Sequence, residues 1–406
     1  MNISLIHYAA PPIVGGVETV IARQAQLLTR AGHKVQILAG RGETWDASIP
    51  VNIIPCIDSR HPEVLKNKVI LDKGKIPEDF SSLIEKIQNE LLRFLEGEDV
   101  IILHNVASLH KNLALTTALH NIQKSKLTTR FIIWHHDLAW TSSRYKAEMH
   151  DGWPWDLLRQ PWGGAKQVTV SKARRKELTA LSGLDPDEII VVSAGLDIAD
   201  FLNLNSRTLA VLDKINILLS DPILLAPVRI TRRKNLKMAI RICAELVSEF
   251  PRTTLVITGP PGAHNPHNLE YMKELQALRK QLRIEKSVHL LAEFMPEGLP
   301  DVCISDFYRI ADALLITSKE EGFGIPILEA GLSSLPIFCT DLPPLRALAG
   351  KYATYFSPAE NPKRVSKQII HRLHNDPAYQ LKVRVRHKYT WTAVYHRQIA
   401  PLLENE

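Results

Sequence analysis

Residues 312–331 read Asp-Ala-Leu-Leu-Ile-Thr-Ser-Lys-Glu-Glu-Gly-Phe-Gly-Ile-Pro-Ile-Leu-Glu-Ala-Gly, and they restrict the fold more than any other stretch. The run from Ala313 to Thr317 is short, apolar and partly β-branched, which suits a buried strand. A polar turn follows, Glu320-Glu321-Gly322-Phe323-Gly324. Pro326 then stands where a helix should begin. Proline is at home in a first helical turn, because its missing N–H would have no partner there. Strand, Gly-rich turn and helix N-terminus present free backbone N–H groups and the positive dipole end to an anion such as phosphate. The same stretch carries two carboxylates, Glu321 on the turn and Glu329 on the first turns of the helix. Carboxylates accept paired hydrogen bonds from vicinal hydroxyls. The stretch therefore suits a ligand with an anionic end and a hydroxyl-rich end, and a nucleotide-sugar has both. A solvated amphipathic helix behind a glycine turn is the plain alternative.

A chain of 406 residues is too long for one ordinary domain and implies two of about 200 residues each. Hydrophobic content of 45% and charged content of 23% are those of a soluble globular protein. No apolar run approaches the roughly 18 residues of a membrane span. The first residues read as a strand and lack the basic start of a signal peptide. Cys56, Cys243, Cys303 and Cys339 form no C-x-x-C pair, which argues for a reducing compartment and against zinc or a disulfide framework. A cytoplasmic address is expected. The net charge of +7 admits nucleic acid, an anionic membrane face or a phosphate-bearing ligand.

Strand and helix signals alternate in both halves, which makes the chain α/β with parallel sheets. Strand 2–8, a turn through Gly15-Gly16, helix 17–29 and strand 34–39 form a βαβ unit. Gly15-Gly16 lacks the dinucleotide fingerprint, and both a tight turn and close approach to an anion remain open. Residues 55–77 read as a basic, irregular loop. Strand 100–103 ends in His104-Asn105, where open α/β sheets bind ligands, although a lone histidine there is often structural. Strand 130–134 runs into His135-His136-Asp137 and Trp140. Five of the seven tryptophans fall between Trp134 and Trp162, a density suited to stacking on sugar rings or to a core cluster. No third ligand at metal spacing follows the two histidines, which excludes zinc there.

In the second half, strand 223–228 leads to Arg229-Ile-Thr-Arg-Arg-Lys234-Asn235 and a helix over 236–249. Four cations at a strand-to-helix turn again suit an anion: a guanidinium grips phosphate through two bonds, an ammonium as a point charge. The cluster at 172–176 reads as solvated surface. Strand 254–258 ends in Gly259-Pro-Pro-Gly262, and His264 and His267 read as solvated. Strand 288–291 is followed by Phe294, strand 335–340 is the last full one, and 379–403 reads as one helix.

Glu321-x7-Glu329 within Glu-Gly-Phe-Gly-Ile-Pro-x-Leu-Glu-Ala resembles the donor-site signature of retaining glycosyltransferase family 4, which has the two-domain GT-B fold. Gly-Gly-Val-Glu, His-Asp, Val-Ser, Gly-x-Asp and Arg-x4-Lys precede it in the family's order, so the resemblance covers nearly the whole chain. It implies two Rossmann-like domains facing a cleft: 1–200 on the acceptor side, a linker at 201–220, 221–380 for the nucleotide-sugar, and a helix at 381–406 crossing back. It implies donor contacts from Gly16, Arg229, Lys234, Gly259, Phe294, Glu321, Gly322, Phe323, Gly324 and Glu329. Catalytic roles fall to Glu321, His136, Arg229 and Lys234, with Gly15, His104, Trp134, His135, Asp137 and Trp140 on the acceptor side. The implied reaction moves glucose or mannose, with retention, from a nucleoside-diphosphate sugar to a hydroxyl of a small polar or saccharide acceptor. No cofactor and no essential metal are expected. The chain departs from the family with Ala194 for Asn, Val228 and Asn235 for the two glycines of the Arg-x4-Lys motif, and Leu335 near a usual Gly.

Two other classes stay open. One is a transferase at the inner membrane face acting on a lipid-linked acceptor, which would make a peripheral membrane contact. The other is a non-catalytic protein that binds an anionic ligand or lipid. No RNA-binding aromatic motif is visible, so nucleic acid is not expected as a partner. A sugar phosphorylase is disfavoured by the missing cofactor-lysine motif. These residues do not encode a readable oligomeric state.

Overall fold

The computed structural model describes residues 1–125, 128–262 and 265–404, which leaves His264 outside the described residues. The chain forms two compact units, one of Met1–Gly195 with Trp391–Glu406 and one of Leu196–Thr390.

The first unit is built on seven strands: β1 (Asn2–His7), β2 (Lys34–Ala39), β3 (Val51–Ile53), β4 (Val100–His104), β5 (Arg130–His135), β6 (Lys166–Thr169) and β7 (Ile189–Val191). They are parallel throughout, in the order β3-β2-β1-β4-β5-β6-β7. Parallel sheets are covered on both faces, so their strands read as continuous apolar runs. Period-two alternation divides those runs between two cores. Ile3, Leu5, Val100 and Ile102 pack on one face with Ile21, Ala25 and Leu28 of the helix Gly16–Arg30. Ile6, Ile101, Leu103 and Ile133 pack on the other with Phe80, Ile87 and Leu91 of the helix Phe80–Leu95. Trp391, Val394 and Tyr395 join the first of these cores. A Cβ on Gly195 would lie 2.6 Å from the Trp391 ring, so this close approach requires glycine.

The second unit has six parallel strands: β8 (Ile223–Ala226), β9 (Thr254–Ile257), β10 (Val288–Leu290), β11 (Ala313–Ile316), β12 (Ile337–Thr340) and β13 (Ala353–Phe356). Their order is β10-β9-β8-β11-β12-β13. Asp312, fully buried, ties this sheet to the chain around it: its Oδ2 accepts from Ile223 N at 2.8 Å, and Arg386 pairs with its Oδ1.

Several expectations are corrected. Residues 201–220 are packed structure rather than a linker: the helix Ser206–Ile215 buries Val211, Leu212 and Ile215, and buried Asp306 accepts from Thr208 Oγ1 at 2.6 Å. The helix expected over 379–403 is broken after Pro377–Lys388, where Tyr389 and Thr390 precede Trp391–Val394. Residues 55–77 hold the helix Pro62–Leu71, opened by its proline. Strand order reverses between β1 and β4 in one unit and between β8 and β11 in the other. Ligands of open α/β sheets bind at the carboxyl ends of such strands.

Candidate functional site

Each unit carries a polar cluster at the carboxyl ends of these strands. In the second unit, β8 and β11 deliver the two loops that sequence analysis singled out. Lys234, 9% exposed, bonds Glu321 Oε1 at 2.5 Å, and Ser318 Oγ donates to the same oxygen at 2.6 Å. Arg233 lies 3.7 Å from Glu321 Oε2. Thr317 Oγ1 donates to Lys234 O at 3.0 Å, and Lys319 N donates to Arg233 O at 2.7 Å, so the loops brace each other. Arg229 is exposed and, among the described residues, its guanidinium pairs with no carboxylate. Arg232 is engaged by Glu274 and the face of Tyr271.

The turn after β11 ends at Gly324, whose φ of 108° lies in the left-handed region and which N-caps the helix Ile325–Leu332 without a side-chain bond. Glycine suits that conformation, and its first backbone N–H groups are left without a side-chain cap. Phe323 and Gly322 are exposed beside it. Glu329 accepts from Tyr308 Oη at 2.6 Å. Burial and the Glu329 carboxylate both push the Tyr308 phenol up, which keeps it a neutral donor. A Cβ on Gly259 would meet Val228 O at 2.5 Å, so the loops after β8 and β9 touch only because that residue is glycine. Phe294 is 36% exposed, with Lys214 Nζ 5.9 Å over its ring.

In the first unit, β1, β4 and β5 end in His7, His104 and His135. His104, fully buried, places Nδ1 3.1 Å from His136 Nε2, and His7 Nδ1 donates to the His104 carbonyl at 2.7 Å. His7 Nε2 lies 3.9 Å from Glu18 Oε1. Asn105 Oδ1 accepts from the backbone of both His136 and Asp137, at 2.8 and 3.1 Å. Burial holds His136 down to about 4 and His7 to about 3, so both are neutral at neutral pH. Gly15 precedes the helix Gly16–Arg30, and a Cβ there would strike the Glu18 carboxylate at 2.1 Å. A Cβ on Gly16 would meet nothing within 4 Å, so packing does not explain that glycine.

The sequence profile of the glycosyl transferases group 1 matches residues 211–388, and that of Glycosyltransferase Family 4 matches residues 14–200. The chain belongs to glycosyltransferase family 4. It is 26% identical over 370 residues to a mannosylglucosylglycerate synthase of Petrotoga mobilis, covering 84% of this chain and 83% of that one. It is 24% identical over 345 residues to a D-inositol 3-phosphate glycosyltransferase of Nocardia farcinica, covering 81% and 70% respectively. A D-inositol 3-phosphate glycosyltransferase of Kineococcus radiotolerans shares 30% identity over 184 residues, 44% of this chain and 40% of its own.

Two of the departures of this family 4 chain, Asn235 and Val228, have local explanations. Asn235 has φ 50°, a left-handed conformation that asparagine tolerates almost as well as the glycine it replaces. Val228 is 7% exposed and belongs to the core, and glycine at 259 supplies the close approach instead. Other expected contacts turn out to be interior. Trp134 (2% exposed), Trp155 and Trp162 are buried because their indoles fill the two cores of the first unit, so these three offer no face for stacking on a sugar, whereas Trp153 is exposed. Trp140 is half-buried, with the Arg159 guanidinium 4.0 Å over its ring. His135 is buried against Gln167 Oε1 at 2.8 Å, and His104 is sealed behind His136. Asp137 is exposed and lies 3.5 Å from Arg174, which also pairs with Glu177.

Sequence reasoning missed His7, Ser318 and the role of Tyr308. The usable signal for His7 was position, since it closes β1 at a switch point, as His104-Asn105 was read at the end of β4. Among the described residues, Asp72, His110 and Glu148 are grouped as metal ligands would be. The Lys68 ammonium bonds Asp72 at 2.6 Å and Glu148 at 2.9 Å and offsets part of their charge.

Proposed function

We propose that the chain transfers a hexose, glucose or mannose, from a nucleoside-diphosphate sugar to a hydroxyl of a small polar or saccharide acceptor, with retention and without an essential metal. The observation that carries this reading is the joint presence, in one loop cluster of the second unit, of cations, an uncapped helix N-terminus and two carboxylates. As the C1–O bond to the diphosphate breaks, negative charge grows on the leaving group. Arg229, Lys234 and the N–H of Ile325 at the helix N-terminus stabilise it, and fixed donors of this kind are often the largest catalytic contribution. Cationic side chains then do what magnesium does in other transferases. Glu329 holds the ribose hydroxyls, with one oxygen already fixed by Tyr308. Glu321 contacts the sugar and His136 orients it. The acceptor oxygen attacks C1 on the face that the phosphate leaves, and its proton passes to the departing phosphate oxygen.

Two relatives support a small, polar, acidic product or acceptor, since they are named for mannosylglucosylglycerate and D-inositol 3-phosphate. No helix among the described residues is long and apolar enough to cross a membrane. The test is nucleotide release from UDP-, GDP- and ADP-sugars in excess EDTA, with glycerate and inositol phosphate among the acceptors. One donor should turn over, the product should keep the donor's anomeric configuration by proton NMR, and Glu321→Ala should abolish transfer. Consumption of no donor, an inverted product, or activity that EDTA removes and magnesium restores would overturn the proposal.

A further inference from the structure

We infer that His104 is a positioning residue: its Nδ1–H donates to His136 Nε2, which fixes His136 as the Nδ1–H tautomer and makes it a hydrogen-bond donor rather than a base. The inference rests on the proposed role of His136 beside the sugar. It follows from counting protons on two neutral rings. The 3.1 Å contact between His104 Nδ1 and His136 Nε2 holds one proton, which belongs to one ring or the other. His104 is 0% exposed, and its Nε2 is buried without a partner.

If His136 supplied the shared proton, His104 would have to carry its own on Nε2, an N–H sealed away from any acceptor. Orphaned buried N–H groups are rarer in folded proteins than under-satisfied acceptors. If His104 supplies the proton from Nδ1, only a lone pair is left on its Nε2. The second arrangement is the favoured one. Burial holds His104 well below its ordinary value and His136 near about 4, so neither ring takes a second proton at neutral pH.

Both rings are held for this task. The His104 ring stacks on Trp134, with centroids 5.4 Å apart and planes 29° from parallel. Its carbonyl is fixed by His7, and the backbone of His136 by Asn105. Among the described residues the His136 Nδ1 has no hydrogen-bond partner, and it is not among the sealed polar atoms. A single N–H therefore points away from the pair, ready for a hydroxyl or phosphate oxygen. With no lone pair free, His136 leaves proton acceptance to the departing phosphate.

The tautomer is read directly by long-range proton–nitrogen correlation on protein carrying ¹⁵N-histidine. Wild type should show His136 protonated on Nδ1 and pyridine-like on Nε2, with His104 the same. His104→Asn keeps an N–H donor near the place of Nδ1 and should keep both the His136 tautomer and kcat within about threefold. His104→Leu removes the donor, should mix the His136 tautomers, and should lower kcat at least about tenfold with donor KM little changed. A wild-type His136 protonated on Nε2 overturns the inference whatever the activities. So does a His104→Leu protein with unchanged tautomer and kcat. If His104→Leu does not fold, the wild-type spectrum and His104→Asn decide alone. If no form transfers sugar, the proposed function fails, while the spectrum still decides the tautomer.

Discussion

The two units assemble their polar clusters in opposite ways. In the second unit the groups are charged, lie partly in solvent and come from two short motifs, Arg229–Asn235 and Thr317–Glu329. In the first unit the histidines are neutral, mostly buried, and come from the ends of strands as far apart as β1 and β4, with His136 one residue past β5. On the proposed function, the difference follows from the chemistry asked of each. A developing diphosphate charge needs fixed countercharges, and these stay charged only near water or in tight pairs such as Lys234–Glu321. A ring that must donate one hydrogen bond in a set direction instead needs a dry, rigid surround, which only tertiary packing supplies.

Acidification should separate the units most. Folded His135 and His136 titrate near about 4 and His7 near about 3, chiefly because burial disfavours their charged forms. The unfolded chain takes up these protons near 6.5. Their contribution is therefore complete above pH 6.5 and is lost as pH falls from 6.5 towards 4, because the unfolded state binds more protons in that window. The slope is up to about 1.4 kcal/mol per pH unit for each histidine. All seven tryptophans, Trp45, Trp134, Trp140, Trp153, Trp155, Trp162 and Trp391, lie in the first unit. Denaturant melts followed by tryptophan fluorescence should weaken strongly from pH 7 to pH 5, and hydrogen exchange in the second unit much less. Equal weakening of both units would erase the contrast.

Next in size is Lys234→Met, which removes a countercharge and strands Glu321 in a site where it is 8% exposed. We expect kcat to fall by about 10²–10³ and stability by about 3 kcal/mol. Adding Glu321→Gln should regain most of the stability and none of the activity, whereas regained activity would mean the pair is structural. The smallest effect sharpens the role of Glu329. Tyr308→Phe loses one hydrogen bond of about 1 kcal/mol, so donor KM should rise about fivefold with kcat nearly unchanged. A fall in kcat at constant KM would move Glu329 away from the ribose.

The same contrast decides how far the chain could be read. The inner strands were legible because double burial leaves apolar runs, as in Ile3–Ile6 and Leu314–Ile316. Two of the edge strands, β3 and β13, were not: Val51–Ile53 and Ala353–Phe356 are three or four residues long and mostly part-exposed, and their partners β2 and β12 supply the pairing. The charged cluster was visible because its members are neighbours in sequence. Asn235 could be matched to a glycine position, but only its φ of 50° explains why asparagine suffices there. The histidine cluster was visible only as separate strand ends. Nothing in the sequence places Nδ1 of His104 against Nε2 of His136, or shows that Trp134 lines their interior side. The tryptophan-rich segment stayed open between core and sugar stacking for a similar reason, since an indole that fills a core and one that stacks on a sugar have the same spacing.

The central claim is that side chains of the second unit, not a metal, carry the leaving-group charge. Single-turnover nucleotide release in excess EDTA, for wild type and Arg229→Ala, tests it most directly. Arg229 is exposed and unpaired among the described residues, so the variant should keep its fold, which circular dichroism checks. The account predicts full release by wild type in EDTA, and release by Arg229→Ala slowed by about 10² that magnesium does not restore. A wild type silent in EDTA and revived by magnesium, or an Arg229→Ala enzyme as fast as wild type, would contradict it.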